Sequence, residues 1–99
     1  MRGLAQSDLS VAARRLIGLP EVAWEQTVQD LLDRAHAADL YRKRLGRWHP
    51  LWGNGTLAAA ARLGDRGVGL PPEPFLSDHR FFAALGAVID GVMHWRARV

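Results

Sequence analysis

Ninety-nine residues, 48% of them apolar, suffice for one globular domain with one modest core. The lack of cysteine excludes a disulfide scaffold, a thiolate metal site and a thiol nucleophile. A formal net charge of +3 is milder than the clustered basic excess of most nucleic-acid-binding domains. No apolar run approaches the ~20 residues of a bilayer span, and the opening Met1-Arg2-Gly3-Leu4-Ala5-Gln6-Ser7-Asp8 has no signal-peptide apolar stretch. With 12 Arg against 1 Lys and many alanines, the composition fits a GC-rich bacterial genome. The expectation is a cytoplasmic bacterial protein with no membrane contact.

In chain order the pattern predicts a single all-α domain over 1–99, with helices at about 8–17, 20–45, 56–63 and 77–97. The first carries Leu9, Ala12, Ala13, Leu16 and Ile17 at three- and four-residue spacing. Ser7 or Asp8 is its expected cap, since a short side-chain oxygen satisfies an orphan backbone N–H. Gly18 ends it. The second opens on Pro20, where a missing N–H costs nothing. It places Glu21 and Glu25 at the positive end of the helix dipole and gathers Arg42, Lys43, Arg44 and Arg47 at the negative end. Its expected core stripe is Trp24, Val28, Leu31, Leu32, Ala35, Ala38 and Leu45. Leu40 and Tyr41 lie off that stripe and leave room for an oligomeric interface.

A turn-rich segment, Arg47 to Gly55, precedes a short third helix capped by Thr56. Three glycines and three prolines make the stretch from Gly64 to Leu76 a loop. Ser77 and Asp78 start the fourth helix, whose expected core face is Phe81, Phe82, Leu85, Val88, Ile89, Val92 and Trp95. Gly86 and Gly91 inside it cost ~1 kcal/mol each against alanine, which points to another helix passing close to both. The two long helices are expected to pack antiparallel, with the short ones across them, forming a small bundle of about four helices.

Motifs for catalysis are scarce. Ser7, Ser10 and Ser77 sit at helix starts, where capping accounts for them. Asp90 and His94 are one turn apart and read as a solvated pair near a helix end. His36, His49, His79 and His94 have no mutual spacing that would hold a metal on a helix. No metal, cofactor or catalytic set is expected. Gly53-Asn54-Gly55-Thr56 superficially resembles a phosphate cradle, but no strand precedes it and no Lys-Ser/Thr follows, so it reads as a turn and cap.

The distinctive segment is Tyr41 to Asn54. Arg42, Lys43, Arg44 and Arg47 lie beside Trp48, His49 and Trp52, so the cations have phosphate-neutralising chemistry and Trp48 has a face for stacking. The three consecutive cations span ~200° of helical arc and cannot all face one ligand. A basic helix end stabilised by its dipole is the competing reading. Trp48 and Trp52 either pin the turn on the core or stand exposed as partner anchors.

The run Arg42-Lys43-Arg44, Gly46-Arg47, His49-Pro50, Trp52-Gly53-Asn54-Gly55-Thr56-Leu57 and Ala59-Ala60-Ala61 resembles a small-protein family of alphaproteobacteria. Pro72-Glu73-Pro74-Phe75-Leu76-Ser77-Asp78 and the closing helix fit it too, so the likeness covers most of the chain. The family is that of the small terminase, or packaging-linked protein, of gene transfer agents, which are domesticated phage-like particles. The resemblance implies a non-catalytic DNA-packaging accessory. It would be a homo-oligomer that contacts double-stranded DNA and recruits the large terminase subunit. The matched positions are Arg42, Lys43, Arg44, Arg47, His49, Trp52 and Asn54. No helix-turn-helix unit stands out and the net charge is low, so weak contact without sequence specificity is expected. The alternative is a protein–protein adaptor or regulator that never touches nucleic acid.

Overall fold

A computed structural model of the protein describes residues 2–63 and 69–98. Helix α1 spans Gln6–Ile17, a 3-10 turn covers Glu21–Ala23, α2 spans Trp24–Leu45, α3 Leu57–Leu63 and α4 His79–Arg98. Among the described residues no strand forms, so the all-α bundle is what the structure shows. Of the expected loop from Gly64 to Leu76, residues 64–68 lie outside the described residues, and 69–76 are non-helical.

Helix α1 begins two residues earlier than its cap-like residues suggest, because Asp8 serves a different purpose. Ala5 is the N-cap, and Asp8, in the first turn, accepts the Ala5 N–H through Oδ2 at 2.7 Å. Its Oδ1 accepts the Ala58 N–H at 2.9 Å, so one buried carboxylate closes the starts of α1 and α3 together. Seven residues later, Arg15 donates from Nε to the Ala61 carbonyl at 3.0 Å. A seven-residue helix is too short to persist alone, and α1 holds α3 near both ends.

Leu16, Val28, Leu32, Leu57, Phe81 and Val88 form the fully buried centre, contributed by all four helices. Trp24 seals one end, with Nε1 donating to the carbonyls of Leu16 (2.7 Å) and Leu19 (3.1 Å). Arg80 lies over its ring and donates to the carbonyls of Ile17, the last residue of α1, and of Leu19 just beyond it, a cation at the negative end of that helix. At the other end Trp95 donates from Nε1 to Asp33 at 2.8 Å, and Arg98 meets the same carboxylate oxygen at 3.0 Å.

The direction of the two long helices differs from the antiparallel expectation. Glu21 pairs with Arg80, Gln29 with Gly91, and Asp33 with Trp95, a nearly constant offset along both chains. Residue numbers rise together, so α2 and α4 run parallel. The reason lies in the connection: residues 46–78, which include α3, separate the two helices, and the first turn of α4 lies at the starting end of α2, where Arg80 meets Glu21. Helix α4 instead runs antiparallel to α1, its first turn against Ile17 and its middle against Leu9.

Gly91 accounts for the closeness of this seam. A Cβ there would stand 2.3 Å from Val28 Cγ1, and the Gly91 carbonyl accepts from Gln29 Nε2 at 2.9 Å. Gly86 behaves differently from expectation, with nothing within 4 Å of a Cβ built on it. Leu45, Phe82 and Ile89, assigned to the core by periodicity, are exposed as well.

Candidate binding surface at the end of α2

Helix α2 stops at Gly46, whose left-handed φ of 70° turns the chain as its N–H bonds the Arg42 carbonyl. The chain then closes a small loop. His49 and Gly53 exchange both backbone hydrogen bonds, at 2.9 and 3.1 Å. His49 Nδ1 accepts the N–H groups of Leu51 (3.0 Å) and Trp52 (3.1 Å), so this nitrogen carries a lone pair and the loop is wound around the imidazole. The ring stacks flat on Trp52, 4.5 Å away with planes 4° apart, and meets the edge of Tyr41 on α2 at 4.9 Å. An aromatic column of Tyr41, His49 and Trp52 thus fastens the loop to its helix.

The next four residues are determined by close approach. Gly53 and Gly55 both have left-handed φ, 86° and 95°. A Cβ on Gly55 would lie 2.8 Å from Asp39 Cα, and one on Gly53 2.8 Å from Ala59 Cβ. Both positions demand glycine twice over. Between them Asn54 Oδ1 accepts the Thr56 N–H (3.1 Å) and hydroxyl (2.8 Å), while Thr56 Oγ1 caps Ala59 N–H at 3.1 Å. Asn54 is therefore a turn-former. The amides at the start of α3 are engaged by Asn54, Thr56 and Asp8, in keeping with a turn and cap.

The four cations divide into two pairs. Asp39, only 1% exposed, binds Arg42 at 3.0 Å and Lys43 at 3.1 Å. Burial pushes this carboxyl up, but neighbouring positive groups, Lys43 and Arg42 foremost, outweigh burial and hold its pKa down to about 2. Arg42 is half-buried and belongs to this cluster, whereas most of Lys43 remains in solvent. Arg44 and Arg47 are exposed and, among the described residues, form no ion pair.

Beside them Trp48 is 68% exposed, so this indole does not pin the turn to the core; Trp52 does part of that work through His49. Arg44 also borders a shallow apolar hollow of about 540 Å³ with Leu40, Tyr41, Leu45 and His49. Leu40 and Leu45 in its lining are each about half exposed, as is Leu51 in the loop that follows. The sequence-derived residues thus separate by role. Arg44, Arg47 and Trp48 are presented to solvent, with the end of Lys43. His49, Trp52 and Asn54 build the platform, and Arg42 serves Asp39. Sequence reasoning leaves Leu40 and Tyr41 to an oligomeric interface, gives Leu45 to the core, and reads Asp39 with Lys43 as a helical ion pair; it misses the burial of Asp39 and the place of Tyr41 under the loop. The pair has a signal in the chain, since Asp39 stands three and four residues before two cations, the spacing of helical ion pairs.

No curated protein and no solved structure matches the chain. A family model does match, over residues 2–92, which includes this entire surface and nearly all of the bundle beneath it. On that match the chain belongs to the family described as the domain of unknown function DUF7742.

Proposed function

We propose that the chain is a non-catalytic binding module, a small-terminase-like DNA-packaging accessory. In this reading it self-associates, lays the end of α2 on double-stranded DNA without sequence specificity, and recruits a large terminase subunit. The observation that carries the DNA contact is the grouping of Arg44 and Arg47, exposed and without an ion pair among the described residues, around the exposed Trp48. The aromatic column beneath gives these groups a rigid base. Such a surface neutralises phosphates but offers no shaped element for reading base edges. The resemblance of the 42–61 segment to gene-transfer-agent packaging proteins supports the same reading.

About two or three phosphates are within the reach of Lys43, Arg44 and Arg47, so log K should fall against log salt with a slope of about −2 to −3. A mobility-shift assay on non-specific duplex at two salt concentrations tests this. Arg44→Ala with Arg47→Ala should flatten the slope by about 2. No binding at low salt, or binding indifferent to salt, overturns the DNA contact.

The apolar hollow favours a second reading, a protein adaptor. The half-exposed Leu40 and Leu45 in the hollow, with Arg44 at its edge and the exposed Trp48 on the loop after the helix, offer apolar anchors with a basic rim. If Trp48→Ala abolishes capture of the large subunit while wild-type protein ignores DNA, the adaptor reading replaces the first.

A further inference from the structure

Helix α4 has two apolar faces, and among the described residues the bundle covers one of them. Phe82, Gly86, Ile89 and Met93 follow at four-, three- and four-residue steps along the opposite side, one continuous stripe. Leu76 shares a groove with Phe82 and Ile89 toward the start of the helix, and Phe75 beside it in sequence is exposed. The segment carrying them is strapped across α1, with Arg14 Nε donating to the Pro71 carbonyl at 2.7 Å and Ser10 bonded to Glu73. Between strap and stripe runs a groove of about 580 Å³, with Leu9, Leu85 and Gly86 in its lining.

The five large side chains are 46% to 87% exposed. At roughly 200 Å² per large apolar side chain, Leu76, Phe82, Ile89 and Met93 leave on the order of 500 Å² of apolar surface, within the range of the largest patch on a monomer. With a polar rim this reaches the ~800 Å² that each partner contributes to a stable complex. No charged side chain interrupts the stripe from Phe82 to Met93 along its own face, so it has nothing with which to hold phosphates.

The shape of the stripe identifies the occupant. A two-fold interface needs both ridge and hollow on the same patch. Here the ridge is Phe82, Ile89 and Met93, and the hollow is Gly86, open above its Cα. An exposed glycine within a helix costs ~1 kcal/mol against alanine, and no contact among the described residues calls for it. Gly91 shows what such a residue does where a neighbour is present: it admits Val28.

We propose that α4 pairs with the α4 of a second copy of this chain, antiparallel about the midpoint between Gly86 and Ile89. Ile89 of each copy then seats over Gly86 of the other, and Phe82 meets Met93, a sulfur–aromatic contact. This gives the self-association in the proposed function a surface, and it rests on that part of the reading alone.

Sedimentation velocity on the full chain over a wide concentration range tests it. Wild-type protein should sediment as twice 11.0 kDa. Gly86→Gln and Ile89→Asp should each weaken the dimer by at least about tenfold. Both positions are exposed, and Gly86→Gln adds helix propensity, so each variant should keep its helical circular dichroism. A wild-type monomer at every concentration overturns the proposal and leaves the face to a different protein or a lipid surface. So does a dimer that both variants leave unchanged. Arg44→Ala with Arg47→Ala should dimerise like wild type, so failure of the DNA reading and failure of this interface register in different assays.

Discussion

The two faces of α4 are built from the same kinds of residue and meet opposite fates. Phe81, Val88, Val92 and Trp95 are buried against α1 and α2, whereas their neighbours Phe82, Ile89 and Met93 stand in solvent. Each face has its glycine, Gly91 pressed on Val28 and Gly86 open. Hydrophobicity therefore fixes how much apolar surface the helix carries, and packing alone decides which part of it the chain can cover.

Adjacent phenylalanines test this contrast most strongly. Phe81→Ala should cost about 3–5 kcal/mol in urea unfolding, through lost transfer energy and a cavity. Phe82→Ala should stay within about 0.5 kcal/mol in dilute protein. Equal losses would erase the distinction between the faces.

The closed interior also holds a charge, and acid probes it. The folded pKa of Asp39 is depressed from 3.8 to about 2. Its contribution is therefore complete above the unfolded pKa and disappears as pH falls through 2. A depression of that size corresponds to about 2–3 kcal/mol at neutral pH. Unfolding free energies measured between pH 5 and pH 2 should show this loss in wild type, and Asp39→Asn should lack it while starting less stable. An unchanged acid slope in the variant would mean that another group is responsible.

The glycines give the smaller effects and the sharpest sign difference. Gly91→Ala gains ~1 kcal/mol of helix propensity but forces Val28 aside, a net loss of about 1–2 kcal/mol. Combining it with Val28→Ala should recover part of that loss, as a coupling above about 0.5 kcal/mol in a double-mutant cycle. Gly86→Ala should stabilise dilute protein by about 0.5–1 kcal/mol. Thermal melts of the two variants should move in opposite directions.

Much of the bundle was legible in the chain. Alanines, leucines and valines at helical spacing mark α1 and α2, Thr56 caps α3, and Asp78 caps Phe81 at the start of α4. Periodicity misplaced Phe82 and Ile89 because apolar residues on α4 cover too wide an arc for one neighbour. It misplaced Leu45 because the last turn of α2 carries that side chain out to the surface around the hollow. The helix directions were hidden because nothing local records which end of α2 the start of α4 meets. At the binding surface, charge and aromatic content were visible, but the division of labour was not. Asp39 looks like an exposed helical acid until Gly55 packs on its Cα. Likewise, Trp48 and Trp52 look equivalent until His49 stacks on one of them.

The parallel course of α2 and α4 has a kinetic consequence. The bonds that join the helices link residues far apart in sequence: 46 and 50 apart between α1 and α3, and 62 apart between α2 and α4. A helical hairpin can zip outward from its turn, but these seams have no turn to start from. Each must wait for a long loop to close before any contact repays the lost chain entropy. The bundle should therefore refold on the millisecond scale of mixed topologies instead of the microseconds of up-and-down helical bundles.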